Sequence, residues 1–240
     1  MRMVLKIREA TKIIYNAKDL IQLQVEALFV HDKNGRLLRI NEQSNPNPAA
    51  RFVLSRSKSG NLWRTRYDLT AELERLAASE LVLSVHNEPP HHADEYTRLL
   101  QTHMPIVSTF SGPGYYLPTN QPHDSVMITP KNLSVVETHF DWLLTELADC
   151  SPVVATVVSG EAVAVCFCAR ITPKVAEAGV YTAESHRGHG YATNAVRGWM
   201  EAVRASGRLP LYSTSWDNLA SQAIARKVGA VFYVADYNIT

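Results

Sequence analysis

The stretch that most limits the fold runs from Val175 to Gly207, VAEAGVYTAESHRGHGYATNAVRGWMEAVRASG. Its first part alternates like a strand and its last part carries apolar residues at helical spacing, with Gly188 and Gly190 at the changeover. A strand, a glycine turn and a helix in that order lay the helix back on the sheet. The unpaired amides of the helix start then face whatever the turn approaches, and Arg187 adds a cation there. Such a loop suits a phosphate, but a plain structural turn uses the same residues, so the loop alone leaves both readings open.

The flanking pattern is clearest after residue 125. VMITP, PVVATVVSG, EAVAVCFCARI and VAEAGVYTA read as strands, and LPLYSTS and VFYVADYNI as later ones. NLSVVETHFDWLLTELADC places Val135, Val136, Phe140, Leu143, Leu144 and Leu147 at helical spacing, and NLASQAIARKVG reads as a closing helix. Strands mixed with helices predict an α/β (α+β) domain over 126–240, a mixed sheet with a helix-covered face.

Residues 1–125 read as a separate N-terminal α+β region of hairpins and helices. ALFVHDKNGRLLRINE and ARFVLSRSKSGNLWRTRYDL are hairpins, LTAELERLAASE is a helix capped by Thr70, LVLSV a buried strand and ADEYTRLLQTH a second helix. TFSGPGYYLPTNQPHDS, rich in glycine and proline, reads as a loop or boundary. Its Phe110, Tyr115 and Tyr116 either line a pocket or pack beneath the loop.

Composition removes several classes of function. Lys plus Arg number 24 against 23 Asp plus Glu, too even a balance for wholesale nucleic-acid binding. No apolar run is long enough to span a bilayer, and the charged start, MRMVLKIREATKIIYNAKDL, lacks the apolar core of a secretory signal. The 3 cysteines are an odd number, and Cys166 and Cys168 fall on one strand face as small core side chains. These features suit a reducing cytoplasm. His86, His91 and His92 cluster on a proline-broken loop without the fixed spacing of metal ligands, so no metal is expected.

Arg187-Gly188-His189-Gly190-Tyr191-Ala192 resembles the Q/R-x-x-G-x-G/A signature of the GCN5-related N-acetyltransferase (GNAT) superfamily. SWDNLASQAIARKVGA resembles that superfamily's second motif, an Asn followed by a helix ending in Gly. Both stand in the right order over 126–240. The first part is more weakly similar to the N-terminal extension of some bacterial members. The resemblance implies a mostly antiparallel sheet flanked by helices and a transfer of acetyl from acetyl-CoA directly to a primary amine. It implies that the backbone of Val180, Tyr181 and Thr182 pairs with the pantetheine arm and offers an amide to the oxyanion. Arg187, Gly188, His189, Gly190, Tyr191, Ala192 and Thr193 then hold the pyrophosphate. Asn218 and Ser221 touch the pantetheine arm or the departing sulfur, although Asn218 and Gly229 also suit helix caps.

Glu177, on the strand entering the loop, is the best-placed general base, ahead of Glu184 and Asp217, while a paired structural carboxylate is the competing reading. His186 and His189 are expected to face solvent beside the phosphates.

Two positions depart from the superfamily. The tyrosine that commonly protonates the thiolate, seven residues after the Asn, is here Ala225, leaving Tyr212, Ser213, Ser215 or water for the task. Only one strand follows the last helix where members often have two, so the expectation is either that the fold is truncated there or that an N-terminal strand or a second subunit, as in a homodimer, fills the gap. The expected acceptor is a small-molecule or peptide amine, bound near SGPGYYLP and the end of the VYT strand. The alternative is an acyl-CoA sensor without turnover, which the missing tyrosine motivates. A third possibility is that the N-terminal part binds a partner protein on which the transferase acts.

Overall fold

A computed structural model describes residues 15–42, 47–66 and 71–240. In chain order, helix α1 (Ala17–Leu28) precedes a small hairpin of β1 (Phe29–His31) and β2 (Leu37–Ile40). Strands β3 (Phe52–Ser57) and β4 (Gly60–Thr65), helices α2 (Ala71–Ala78) and α3 (Ala93–Gln101) and strand β5 (Thr109–Tyr116) follow. Next come β6 (Val126–Ile128), a 3-10 turn (Leu133–Val136), α4 (Leu143–Glu146), β7 (Val153–Val158), β8 (Glu161–Ile171) and β9 (Val175–Thr182). The chain closes with α5 (Tyr191–Ala205), β10 (Leu209–Ser213), α6 (Leu219–Lys227) and β11 (Val231–Ile239).

Among the described residues, nine strands form one sheet in the order β4-β3-β11-β5-β10-β9-β8-β7-β6. All neighbours are antiparallel except β9 and β10. The sheet runs across residue 125, since β3, β4 and β5 join it beside β10 and β11.

Alternation along the strands assigns each face its cover. On one face α5 buries Val196, Trp199, Met200 and Val203 against Val154, Cys166, Ala176 and Tyr212. Truncating a buried tryptophan such as Trp199 to alanine costs about 3–5 kcal/mol. On the other, α1 buries Leu20, Ile21 and Val25 against Val53, Val175, Leu211 and Val234. Asn16 caps α1 by accepting from the Lys18 amide at 3.0 Å. This helix was not anticipated from the sequence, although Asn16 and the spacing of the apolar residues carry the signal.

Three local expectations fail, each for a physical reason. The first half of the glycine-proline stretch expected to be a loop or boundary is β5, between β10 and β11, while residues 117–125 form neither helix nor strand. A Cβ on Gly112 would stand 1.8 Å from the Thr214 carbonyl oxygen, and one on Gly114 2.4 Å from Val234 Cγ1, so only glycine admits these neighbours. Pro113 has no amide to donate, and its carbonyl accepts from Thr214 N at 3.2 Å.

LVLSV joins no ladder: Leu83 is buried while Leu81, Val82 and Val85 are exposed, and Leu83 N donates to Ser57 O at 3.1 Å. The helix expected over NLSVVETHFDWLLTELADC breaks into the 3-10 turn and α4. Asn132 Oδ1 accepts from the Thr129 amide at 2.7 Å, and its amide group donates to Met127 O, side-chain bonds that compete with helix formation. Val136, Phe140 and Leu143 still share one buried cluster.

The expected hairpins of β1–β2 and β3–β4, and helices α2, α3, α5 and α6, are present. Thr70, the cap expected for α2, lies outside the described residues.

Candidate active site

The site begins where two parallel strands part. β10 pairs with β9 through Leu209, Pro210 and Leu211, opposite Val175, Ala176 and Glu177. Past Glu177, β9 continues to Thr182 with β8 as its partner, so its other edge carries no ladder to β10. A cavity of about 630 Å³ opens at this parting, lined by Val180, Tyr181 and Thr182 on one side and Tyr212 on the other.

The glycine loop closes one end. Gly188 (φ +83°) and Gly190 (φ +85°) take left-handed backbone that L side chains adopt rarely, and a Cβ on either would meet nothing within 4 Å. The loop is therefore open rather than packed, and Gly190 is the N-cap of α5. The amides of the first α5 turn have no intrahelical acceptor, and the helix dipole makes this end electropositive. Arg187, Gly188, Gly190, Tyr191, Ala192 and Thr193 line the cavity, with Lys227 adding a second cation.

His189 does not line it: its ring stacks on Tyr191 at 5.6 Å, with Nδ1 2.9 Å from Arg187 O. His186 does line it. Glu184 is exposed, with Oε1 3.7 Å from the Arg187 guanidinium, and Asp217 is exposed as well.

Asn218 does cap α6, accepting from Ser221 N at 3.0 Å, and both residues also line the cavity. The Tyr212 hydroxyl lies 2.7 Å from Ser221 Oγ, and burial pushes its pKa up to about 12, so it stays protonated at neutral pH. Ala225 is fully buried in the α5 cluster.

Glu177 sits at the parting itself, 3% exposed. Ser213 Oγ donates to its Oε1 at 2.6 Å, while Oε2 is buried without a hydrogen-bond partner among the described residues. Burial, reinforced by the Asp236 charge and opposed by the Ser213 bond and Arg170, raises its pKa to about 7. Asp236 accepts from Ser55 Oγ at 2.5 Å and Gln24 Nε2 at 3.1 Å, and burial raises it to about 6.

A second cavity, of about 620 Å³, includes Ser213, Asp236, Asn238 and Arg170 among its lining residues. A smaller one, of about 330 Å³, shares Arg170 with it and shares Val180 and Tyr181 with the first. Asp236, Asn238 and Arg170 were not foreseen from the sequence, because separate strands bring them together. Phe110 lines the second cavity, whereas Tyr115 and Tyr116 pack in clusters with Phe232 and Tyr233. Among the described residues no group of three or more His, Cys, Asp or Glu is arranged to hold a metal, and no helix is long and apolar enough to cross a membrane.

The acetyltransferase (GNAT) domain family matches residues 88–231, which is more than half of the chain. The chain belongs to the GNAT acetyltransferase family. No curated protein matches it. Among solved structures it is similar to a GNAT-family acetyltransferase from Colwellia psychrerythraea, at 14% identity over 95% of this chain and 98% of that one, with a TM-score of 0.46. It is also similar to a putative GNAT acetyltransferase from Novosphingobium aromaticivorans, at 15% identity and a TM-score of 0.43, covering 56% of this chain and 66% of that one. A tandem GNAT protein from the clavulanic acid biosynthesis pathway matches at 15% identity over 69% of this chain and 66% of that one, with a TM-score of 0.43.

Proposed function

We propose that the protein transfers an acetyl group from acetyl-CoA to a primary amine. The observation that carries this reading is the cavity at the parting of β9 and β10, which has a free strand edge along one wall and an open, cationic glycine loop at one end. A pantetheine arm is a chain of amides, and Val180–Thr182 offer it the unpaired edge of β9. A pyrophosphate is polyanionic, and the amides of Gly188 to Thr193 with Arg187 offer it donors and positive potential.

The thioester would then lie beside Glu177 and Tyr212. Amine attack forms the C–N bond and breaks the C–S bond, with one proton leaving nitrogen and one reaching sulfur. Glu177, raised to about 7, is poised to accept the first through its bond to Ser213. Tyr212 takes the place of the acid absent at Ala225 and is in position to supply the second. A backbone amide of the splayed β9 would stabilise the oxyanion. The cytoplasm, where acetyl-CoA is available, is the proposed location. The division at residue 125 is proposed as a boundary of function, with the acetyl-CoA site built from 126–240.

The test is calorimetric titration with acetyl-CoA, followed by thiol release across a panel of primary amines. Saturable binding with amine-dependent release supports the reading, and absence of acetyl-CoA binding sinks it. Binding with no release from any amine favours the acyl-CoA sensor, the reading to which the buried Ala225 points.

A further inference from the structure

Around the 620 Å³ cavity the structure leaves unsatisfied groups of both kinds. Asn238 Oδ1, on its lining, is a buried acceptor with no hydrogen-bond partner among the described residues, and so is Oε2 of Glu177, which is not itself on the lining but whose Oε1 accepts from the lining Ser213. Arg170, also on its lining, has a buried Nε with no acceptor among the described residues, while its Nη1 is held by Glu42 at 2.5 Å. Buried polar atoms in folded proteins are nearly all paired, so unpaired donors and acceptors around one cavity point to a ligand that completes them.

Their placement narrows the ligand. Arg170 on β8 and Glu177 on β9 are cross-strand partners in register, and such neighbours have Cβ atoms about 4.5–5.5 Å apart. A molecule that meets both presents an anion to the guanidinium and an amine to the carboxylate on closely spaced atoms. Asp236 and Asn238 stand two apart on β11 and add acceptors to the same lining. Phe29, Ile40, Val107 and Phe110 make part of that lining apolar.

We infer that this cavity takes a hydrophobic α-amino acid as the acetyl acceptor, its carboxylate held by Arg170 and its amine set toward Ser213, Glu177 and Asp236. This rests on the transferase reading and names the substrate class of that site. The reaction turns acetyl-CoA and the amino acid into an N-acetylamino acid and free CoA thiol, the proton lost by nitrogen balanced by the one gained by sulfur. A guanidinium–carboxylate contact is lost when the carboxylate is amidated or removed, so discrimination against such analogues is the signature.

The experiment measures kcat/KM for thiol release by the full chain at saturating acetyl-CoA. The acceptors are L-leucine, L-phenylalanine, leucinamide, phenethylamine and the dipeptide Leu-Gly. Calorimetric titration of L-leucine into the acetyl-CoA-saturated protein adds a readout independent of turnover. The free amino acids are expected to exceed the amide and the decarboxylated amine by at least about tenfold. Arg170→Leu should erase that ratio while acetyl-CoA affinity holds, and Arg170→Lys should restore part of it. Asn238→Leu should raise KM for the amino acids and leave acetyl-CoA affinity unchanged.

Equal rates for carboxylate-free amines, or a preference for the dipeptide, would overturn the inference and leave the transferase reading standing. Acetyl-CoA binding without heat or thiol release from L-leucine would overturn it in the same way. Loss of acetyl-CoA binding itself in the unaltered chain would instead remove both.

Discussion

Ser213 Oγ donates to Glu177 Oε1 at 2.6 Å, two residues beyond Leu211, the last residue that joins β10 to β9. The bond therefore spans the point where the sheet opens and links a buried carboxylate to a cavity that Ser213 lines. If this pair carries the amine's proton, Glu177→Gln should lower kcat by about 10²–10⁴-fold with little change in acetyl-CoA affinity. Ser213→Ala should fall in the same direction but less far. Steady-state kinetics beside calorimetry would separate the two quantities, and an unchanged kcat in Glu177→Gln would exclude it as base.

The same carboxylate sets a pH dependence with two opposite signs. As a base Glu177 acts ionised, so kcat/KM should rise with pH through about 7, and Glu177→Gln should lose that limb. For stability the sign reverses, because Glu177 is raised from 4.5 to about 7 and Asp236 from 3.8 to about 6. Their contribution is full below the unfolded values near pH 4 and is lost as pH rises through 6 and then 7. Thermal melts from pH 5 to 8 should show this loss, and Glu177→Gln, which keeps the neutral shape, should show a shallower one.

Gly190 combines left-handed backbone with a place at the electropositive start of α5. Gly190→Asp adds strain of about 1–3 kcal/mol and sets a carboxylate where a pyrophosphate is proposed. Acetyl-CoA affinity should fall by about 100-fold or more, from strain and like charge together. Gly190→Asn, which tolerates left-handed backbone without the charge, should lose much less. Equal losses in calorimetric titrations of the two variants would assign the effect to strain alone.

The Tyr212 hydroxyl bonds to Ser221 Oγ at 2.7 Å on the wall of the first cavity. Tyr212→Phe keeps the ring in its core cluster and removes the proposed acid. A drop in kcat of about 10²-fold at constant acetyl-CoA affinity is expected, and a single-turnover rate equal to that of the unaltered chain would assign the proton to water.

Gly112→Ala tests the architecture rather than the chemistry. Its Cβ would stand 1.8 Å from Thr214 O and 2.8 Å from Ser215 Cα, both backbone atoms of the chain leaving β10. Overpacking of this kind costs about 1–3 kcal/mol or more, because β5 is paired on both sides and the Thr214 and Trp216 amides are bonded to Pro113 O and Ser111 O. Chemical denaturation should show a lower midpoint, and Gly60→Ala, where a Cβ meets nothing within 4 Å, should show a smaller change arising from its backbone angle alone.

The half of the candidate site proposed to take acetyl-CoA was legible as strand, loop and helix because its parts are neighbours in the chain. Strand, glycine loop and helix start occupy Val180–Thr193, so local periodicity and the need for positive φ place them without tertiary knowledge. Asn218 was legible for the same reason, as a cap read from its position before α6. The other cavity was not legible. Ser213, Asp236, Asn238 and Arg170 come from three strands, and only the sheet order makes them neighbours.

Strand β5 shows the division most sharply. By itself TFSGPGYY has the composition of a loop, since glycine and proline are poor strand formers. Tertiary structure makes it a central strand, because β10 and β11 leave a gap between them and the backbone of Thr214 crosses where a side chain would stand. What the sequence determined was the set of local conformations each segment can hold at low cost. What the tertiary structure decided was which strands stand side by side, since pairing depends on hydrogen bonds and close approaches between residues far apart in the chain.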